Sequence, residues 1–451
     1  MTSCNDATEI DPQGIVLEEN ALNTVSNLQQ GLTGVYSAIS GSNVIAYSSR
    51  FTDDLKVAAT NRGQGLQVHN WNTVANTNEP NGIWNNLYLV INRANRIIEA
   101  SEGISAKNES EENTKTRILG ECFAIRAFAH FELYRMFSQS YDMNALSVPI
   151  VDRVFVFEQP NRNTVEEVLN FIEDDLIEAE SRLDLITDNN RGMSGLAAKA
   201  LRARLALYAG NYPQAVALST DVISNSSIAT TLTEYSGIWT DDFEDEVIFK
   251  LARTAGQGRI GTLFTDLNGD IFFNPSISLF NELENGDYRT PIIVDLENSD
   301  DDITNLLVGK YLGNEANPGL NDIKILRTSE QYLIRAEANL RKDSPDLQAA
   351  STDMETLKNA RKDFEVTVNY SNVENGLNDV LLERRLELAF EGHRMFDLRR
   401  YNLGVNRGTE GDECLNSIGA CELDSDSYLF ALPIPQPEIF ANDNIEQNRN
   451  Y

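Results

Sequence analysis

The chain has 451 residues and carries 69 acidic against 37 basic side chains, which gives a net charge of -32. Hydrophobic residues make up 41% and charged residues 24%, the composition of a folded globular protein rather than of a disordered chain. The acidic excess argues against nucleic-acid binding, because that function needs a basic footprint to displace counterions. Only 3 His and 4 Cys are present, which argues against His-rich metal sites and a dense disulfide framework.

The first residues have the composition of a polar leader. The chain opens Met1-Thr2-Ser3-Cys4, without a basic start or an apolar signal stretch. A Cys behind small residues fits a bacterial lipoprotein cut back to its lipidation site, although any free N-terminal Cys gives the same pattern. We expect Cys4 to carry a lipid anchor and residues 1–35 to form an extended tether. No run of about 20 apolar residues exists, so a membrane-spanning helix is not expected.

Helical periodicity begins after residue 80. Apolar residues recur every three or four positions from Ile83 to Ile98, and residues 117–137 are apolar nearly all round. Thr164 and Glu167 form a capping-box pattern before another amphipathic segment that runs to Leu183. These patterns predict three long helices.

Two further segments have the form of tetratricopeptide helix pairs. One spans 196–224 with a break at Gly210-Asn211, and the other spans 329–361. Such pairs bury their apolar faces only by stacking on neighbours. We predict an all-α-dominated fold with a few short strands. Its helix-pair scaffold lies mainly in 83–224 and 329–400, and its loop-rich ligand-binding face lies mainly in 36–80 and 225–320.

Six segments carry a family pattern in sequence order. They are Trp84–Ile98, Gly120–Phe128, the helix opening at Thr164-Val165, AAKALRARLALYAGNY from Ala197, Glu383–Arg400, and the ending from Leu432-Pro433-Ile434-Pro435 to Tyr451. On these segments the chain resembles the SusD/RagB family of surface nutrient-binding lipoproteins, and the resemblance covers almost its whole length.

The resemblance implies about four tetratricopeptide-like helix pairs plus an irregular binding region, here a single domain over 36–451. It implies a surface-exposed protein of the outer membrane, held there by its lipid anchor alone. It also implies a partner, a SusC-like TonB-dependent transporter that receives oligosaccharides. Some members bind peptides instead. The family consists of binding proteins, so neither an enzyme activity nor a cofactor is expected.

A sugar ring stacks on an aromatic face, and its hydroxyl groups are satisfied by carboxylates, amides and guanidinium groups. Trp71 stands in the polar run Asn70–Thr73, and its position matches the loop that carries ligand-contacting Asp, Arg and Trp residues in sugar-binding members. The alternative is that Trp71 packs half-buried within its loop. The predicted contacts of this first wall are Trp71, Asp54, Arg62 and Asn72, with Asp53 and Tyr47 beside them.

A second wall is expected from 255–275, where four Gly residues interrupt regular structure. Its candidate contacts are Arg259, Phe264, Asn268 and Phe272. The alternative for Phe272-Phe273 is a strand anchored in the core. Trp84 and Trp239 are predicted to be structural.

The segment 383–400 packs ten ionisable groups into eighteen residues. One interpretation makes Glu391, His393 and Asp397 an acid/base or metal cluster. Positions 391 and 393 point away from each other on a helix, however, unlike an i, i+4 pair. We therefore predict a structural ion-pair network in which arginine forks bind partly buried carboxylates.

Cys414 and Cys421 share one acidic, Gly-rich loop. In an exported protein we favour a disulfide between them over a zinc site, since no His lies nearby. Asp300-Asp301-Asp302 offers oxygen ligands for calcium, but the spacing matches no EF-hand and a solvated acidic loop is the favoured alternative. The favoured interpretation of both segments is therefore one without a metal site.

Three functions remain to be compared. The first is capture of an oligosaccharide or polysaccharide for a transporter, without catalysis, and the acidic net charge favours a neutral glycan. The second is peptide capture by the same scaffold, which would need exposed backbone edges more than aromatic platforms. The third, an enzyme, lacks the hydrolase, metalloprotease and phosphate-loop motifs, although a carboxylate pair for glycoside cleavage stays open.

Overall fold

The computed structural model describes residues 21–187, 189–299, 306–408, 414 and 420–451. Within these residues helices dominate and the strands are short, which confirms the predicted fold class. No described helix has both the length and the apolar character needed to cross a bilayer.

The first part of the chain consists mainly of helices. The elements are α1 (Val25–Ala38), α2 (Ser42–Phe51), β1 (Leu55–Val57), α3 (Leu66–His69), α4 (Asn78–Glu102), α5 (Glu109–Phe137), α6 (Val165–Arg182), α7 (Gly195–Tyr208), α8 (Tyr212–Ser224) and α9 (Leu232–Thr240).

The second part alternates short strands with helices. The elements are β2 (Val247–Leu251), a 3₁₀ turn (Ile260–Leu263), β3 (Phe273–Pro275), α10 (Ile277–Phe280), α11 (Thr290–Ile293), β4 (Gly313–Asn314), β5 (Asn317–Pro318), β6 (Ile323–Arg327), α12 (Thr328–Arg341), α13 (Leu347–Asn359), α14 (Val373–Glu387), α15 (Arg394–Arg400), β7 (Val405–Asn406), β8 (Glu422–Leu423), a 3₁₀ turn (Tyr428–Phe430) and α16 (Gln436–Ala441).

The long helices form one continuous stack. Consecutive helices pack on each other from α4 to α8, and α8 then packs against α12, whose other partners include α13 and α14. The chain therefore leaves the stack after α8, builds the loop-rich region and returns to the same stack at Thr328. The strands form two-stranded antiparallel ladders, in which β1 pairs with β3, β2 with β6, β4 with β5 and β7 with β8.

Helix α5 shows how local signals set an element's length. Its first turns are polar, but the Asn108 side chain accepts a hydrogen bond from the backbone N–H of Glu111 at 3.0 Å. Three acidic residues then lie in the first turn, where they favour the positive end of the helix dipole. The helix consequently begins at Glu109, eight residues before its apolar part. Helix α6 opens with the predicted capping box of Thr164 and Glu167.

Helix α1 corrects the prediction of an extended leader over 1–35. Residues 25–38 are helical, and Val25, Leu28, Leu32 and Val35 are buried against the core. Their spacing of three, four and three residues is the helical period, which the polar residues around them obscured. Residues 1–20, including Cys4, lie outside the described part of the chain.

The segment 383–400 takes part in a buried ion-pair network, as predicted. Glu387 accepts hydrogen bonds from Arg327 Nη1 at 2.7 Å and from Arg361 Nε at 2.9 Å. Glu246 binds the same two guanidinium groups, and Glu391 binds Arg327 again. All five side chains are at least nine-tenths buried. This network joins the residue before β2, the end of β6, the segment after α13 and the end of α14, which come from distant parts of the sequence.

Trp84 and Trp239 are both 3% exposed, so both are structural, as predicted. Trp84 packs edge-on against Phe137. The Trp239 ring lies beside the charged network, with Lys310 Nζ 3.9 Å from its centroid.

Candidate functional site

The two predicted walls of the site meet in the structure. β1 runs antiparallel to β3, with Leu55 opposite Pro275. Beyond the strands, Thr60 Oγ1 donates to the carbonyl of Ile271 at 2.7 Å, and Asn61 Nδ2 donates to that of Phe272 at 2.8 Å. A third segment, around the β4–β5 hairpin, completes a surface that we call the loop face, made of residues 58–72, 259–272 and 307–319.

Arg62 occupies the centre of a small charged cluster on the loop face. Its Nη2 lies 2.7 Å from Asp266 Oδ2 and 3.0 Å from Asp270 Oδ2. The guanidinium carbon is 5.9 Å from the centroid of the Phe272 ring. The Arg62 side chain is 57% exposed, so this cluster faces solvent and is accessible to a ligand.

Asp266 also fixes the turn that carries it. Its Oδ1 accepts the backbone N–H groups of Asn268 at 2.8 Å and Asp270 at 2.9 Å. The Asp270 N–H, followed by that of Asn268 and by Arg62, lowers the pKa of Asp266. The carboxylate is therefore ionised at neutral pH and orients both the turn and Arg62.

Beside this cluster lies a cleft of about 330 Å³. Its volume is within the range of small-molecule sites. Phe264 and Tyr311 are almost fully buried and form its floor, whereas Leu267 and Leu312 are 59% and 49% exposed at its rim. The remaining lining includes Thr262, Thr265, Asp266, Val308, Lys310 and Pro318. The cleft thus has an apolar floor and polar groups along one edge.

Gly261 allows the two sides of this cleft to approach closely. Its N–H donates to the carbonyl of Gly319 at 2.9 Å. A Cβ at position 261 would lie 2.4 Å from the Tyr311 carbonyl oxygen and 2.6 Å from Gly319 Cα, both of which are backbone atoms. Only a residue without a side chain fits this contact.

We expect Gly261→Ala to separate the walls of the cleft. Overpacking against backbone should lower the free energy of unfolding by about 1–3 kcal/mol, as measured by urea denaturation, and should weaken ligand binding. Gly258→Ala is the matched control, because nothing lies within 4 Å of a Cβ at position 258. Equal stability of the two variants would contradict the proposed close contact.

Three aromatic residues around the loop face have a left-handed backbone. The φ angles are +55° at Trp71, +67° at Tyr311 and +62° at Phe390. Phe390 packs on Phe264 with ring centroids 5.5 Å apart. This conformation is costly for bulky side chains and concentrates at functional sites. The strain therefore supports a binding role for this surface.

Trp71 is half-buried and integrated into the loop face. Its Nε1 donates to the Phe51 carbonyl at 2.9 Å, and its ring meets the edge of Phe51. The Arg407 guanidinium carbon lies 4.4 Å from the centroid of the indole. The indole N–H and one face of the Trp71 ring are therefore used for packing within the protein, as the alternative interpretation expects.

Five other predicted contacts are buried, which corrects their assignment as exposed ligand contacts. Phe264 is 2% exposed and packs on Phe390. Tyr47 is 3% exposed and stacks on Phe51. Asp53 and Asp54 are 7% and 2% exposed, and they bind Arg394 and Arg385 at 2.7 and 2.8 Å. Phe272 is 8% exposed and lies beneath Arg62. In each case a partner within the protein already occupies the group that a sugar would need.

The remaining predicted contacts stay near the surface. Arg62, Asn72 and Asn268 are exposed, and Arg259 is partly exposed while donating to the Pro318 carbonyl at 2.6 Å. Sequence reasoning missed Tyr311 and Leu312. The turn residues of Gly313–Gly319 were the available signal, since they indicate a hairpin that brings this segment to the surface.

The remaining predicted features are the pair Cys414 and Cys421 and the acidic calcium candidate. Cys414 and Cys421 form a disulfide in the structure. Asp300-Asp301-Asp302, the calcium candidate, lies outside the described residues.

Comparisons with known protein families agree with the fold. The model described as "SusD family" matches residues 310–451. A second model, described as "Starch-binding associating with outer membrane", matches residues 11–207. Together they cover more than half of the chain. The chain belongs to the SusD/RagB family.

Relatives of this SusD family protein match it over nearly their full length. SusD-like protein P38 of Formosa agariphila is 24% identical, covering 100% of this chain and 96% of that protein. A putative sugar binding protein from Bacteroides vulgatus is 28% identical, with a TM-score of 0.82 over 96% of this chain and 99% of that one. A laminarin binding SusD-like protein shares the fold, with 22% identity and a TM-score of 0.72 over 95% of this chain and 100% of that one.

Proposed function

We propose that this SusD family protein captures a neutral oligosaccharide or polysaccharide at the loop face and passes it to a transporter without cleaving it. The cleft beside Arg62 carries this proposal, because it joins an apolar floor to accessible polar groups in the way that a pyranose requires. The family's starch-binding description and the laminarin-binding relative support a glycan as the ligand.

The charges around the cleft favour a neutral ligand. Arg62 is paired with Asp266 and Asp270, and Lys310 in the lining is paired with Glu391 at 3.0 Å. The whole chain carries a net charge of -32. The negative net charge would repel an anionic glycan. Arg62 and Lys310 would not offset this repulsion, because both are already paired with carboxylates.

Calorimetric titration tests the ligand class. The full chain is titrated with laminarin, starch, xylan, mannan, levan and a peptide digest. We expect saturable binding of one neutral glycan with a Kd between micromolar and millimolar, since a few stacked rings contribute modest free energy. Binding of the peptide digest alone would replace the glycan by a peptide. Steady release of new reducing ends would contradict the non-catalytic role.

Arg62→Ala tests the position of the site. Exposed ion pairs contribute at most about 1 kcal/mol to folding, so this variant should stay folded. We expect a 5- to 20-fold weaker Kd for the glycan. Arg182→Ala is the matched control, because Arg182 is also a partly exposed arginine paired with a glutamate, Glu178, but belongs to helix α6. Equal affinity of both variants would exclude Arg62 from the site.

Delivery to a TonB-dependent transporter and anchoring through a lipid on Cys4 complete the proposal. They are supported by the family membership and by the family description, which names the outer membrane. We expect Cys4→Ala to move the protein from the membrane fraction to the soluble fraction of its cells. We also expect the tagged wild-type chain to co-isolate a TonB-dependent transporter in mild detergent. If Cys4→Ala stays in the membrane fraction and no transporter is co-isolated, this part of the proposal fails.

A further inference from the structure

A second cleft lies beside the helical stack. It is formed by α4, the segment 149–160 and α16, and its volume is about 470 Å³. This volume is larger than that of the loop-face cleft and lies within the usual range of ligand sites. Nothing in the proposed function uses it.

The segment at its mouth is pinned at both ends. The Val154 N–H donates to Glu99 Oε1 at 2.5 Å, and Gln159 Nε2 donates to the carbonyl of Ala441 at 2.8 Å. Asn442 Nδ2 donates to the Pro160 carbonyl at 2.9 Å. The loop between these attachments is thus held at both ends by hydrogen bonds, and the Arg153–Glu158 ion pair at 2.6 Å spans it.

This pinned loop carries its apolar residues outward. Val156 is 76% exposed and Phe157 is 96% exposed, although both line the second cleft. Keeping an aromatic side chain in water forgoes about 1.5–3 kcal/mol of burial free energy. Adjacent exposed apolar residues at a concave surface mark interaction sites more often than isolated ones do.

The inner lining combines aromatic rings with amide groups. Trp84 Nε1 donates to Glu438 Oε2 at 3.3 Å, and the Tyr88 hydroxyl donates to the Pro149 carbonyl at 2.8 Å. The polar ends of both rings are therefore already engaged. Asn85, Asn92, Gln159 and Asn442 line the same space. Gln159 and Asn442 each use one N–H for the bonds that pin the loop. An amide nitrogen carries two N–H groups, so both residues can still donate to a sugar hydroxyl with the second one.

We propose that the second cleft is a second carbohydrate-binding site, which holds a short stretch of neutral glycan with a sugar ring against Phe157. This inference rests on the proposed function. A concave surface that mixes aromatic and amide side chains favours a sugar over a protein partner, whose contact would need a broader apolar core.

Two weak sites on one chain have a measurable consequence. A polysaccharide long enough to engage both binds the second site as an intramolecular event, so its overall affinity exceeds that of either site. A short oligosaccharide gains nothing from this effect. The second site would therefore raise retention of polymers relative to short products.

Affinity gel electrophoresis of the full chain tests this inference. The gels contain laminarin, starch, xylan, mannan or levan, and the polymer giving the strongest retardation is used with the variants. We expect Phe157→Ala to weaken retardation about 5- to 10-fold, and Arg62→Ala combined with Phe157→Ala to abolish it. Phe364→Ala is the matched control, because Phe364 is also exposed and does not line the second cleft.

The outcomes separate the two proposals. If Phe157→Ala behaves like Phe364→Ala while Arg62→Ala loses binding, the second site is overturned and the loop-face site stands. If Phe157→Ala loses binding and Arg62→Ala does not, the second site stands and the loop-face position fails. If no polymer retards the wild-type chain, both fail. Loss of a co-isolated protein in Phe157→Ala, with glycan binding unchanged, would make this surface a protein contact.

Discussion

Replacing Glu387 by Ala should lower the free energy of unfolding by about 3–5 kcal/mol, because it removes one partner of a buried ion-pair network. Glu387 is 0% exposed and accepts hydrogen bonds from Arg327 and Arg361, while Arg289 Nη1 lies 3.8 Å from its Oε2. Without this carboxylate the network loses one buried negative charge but still holds three buried guanidinium groups. Urea denaturation followed by tryptophan fluorescence measures the loss, since the Arg327 guanidinium lies 5.3 Å from the Trp239 ring centroid.

Glu365→Ala is the matched control for this experiment. Glu365 is an exposed glutamate on the segment after α13, and removing an exposed side chain usually changes stability by no more than about 0.5 kcal/mol. A loss below about 1 kcal/mol in Glu387→Ala would contradict the structural role of the network. A large loss would show that the ionisable groups of 383–400 hold the fold together.

The same network has a pH dependence of known sign. Burial alone would raise the pKa of Glu387, but Arg361, Arg327 and Arg289 overcome this effect and hold it well below its ordinary value. A depressed folded-state pKa means that the stabilisation is present above the unfolded pKa of about 4.3 and is lost as pH falls below it. The stability difference between wild type and Glu387→Gln should therefore shrink in acid.

The scaffold was predictable because its signals are local. The capping box at Thr164, the apolar period of α4 and the small-residue pair at α7 and α8 each depend on residues within one or two helical turns. The charged segment 383–400 was also interpreted correctly as an ion-pair network, because the spacing of Glu391 and His393 argued against a metal site. No local pattern contained the partners of Glu387 and Glu391, because Arg327 and Arg361 lie far from that segment in sequence.

The candidate site was predictable only in part, for the same physical reason. The segments 50–76 and 255–275 do form neighbouring walls, as expected. The depth of individual side chains depends on long-range contacts, however. Asp53 and Asp54 are residues of a type that often contacts sugars. In the structure, however, both carboxylates are buried and bind Arg394 and Arg385, which follow more than 300 positions later. Tyr311 was missed because the turn residues of Gly313–Gly319 indicate a hairpin at the surface but do not show that the Tyr311 side chain is buried beneath it.

Arg407 supports the Trp71 side of the loop face, and Arg407→Lys should weaken that side strongly. Arg407 is 1% exposed and donates hydrogen bonds to the carbonyls of Thr52 at 3.0 Å and His69 at 2.7 Å, besides covering the Trp71 ring. Its further acceptors are the carbonyls of Ala420, Arg50 and Phe51. One planar side chain therefore ties the end of α2, the turn after α3 and the disulfide loop together.

A lysine at position 407 keeps the charge but not this arrangement. An ammonium group has three donors on a flexible stem and cannot reach five carbonyls at once, so several of them would stay buried without a partner. Each such group costs about 1–3 kcal/mol. We expect a loss of about 3–5 kcal/mol in stability by urea denaturation and a glycan Kd at least 10-fold weaker by calorimetry.

Arg449→Lys is the matched control, because Arg449 is an exposed arginine near the C-terminus. It should change neither quantity. If Arg407→Lys loses stability but keeps its glycan affinity, the Trp71 turn is not part of the site and the cleft of Phe264 and Tyr311 binds alone. If both quantities fall together, the glycan is held by a surface whose geometry Arg407 maintains from beneath. The ligand would then contact side chains that a guanidinium, rather than a hydrophobic core, keeps in position.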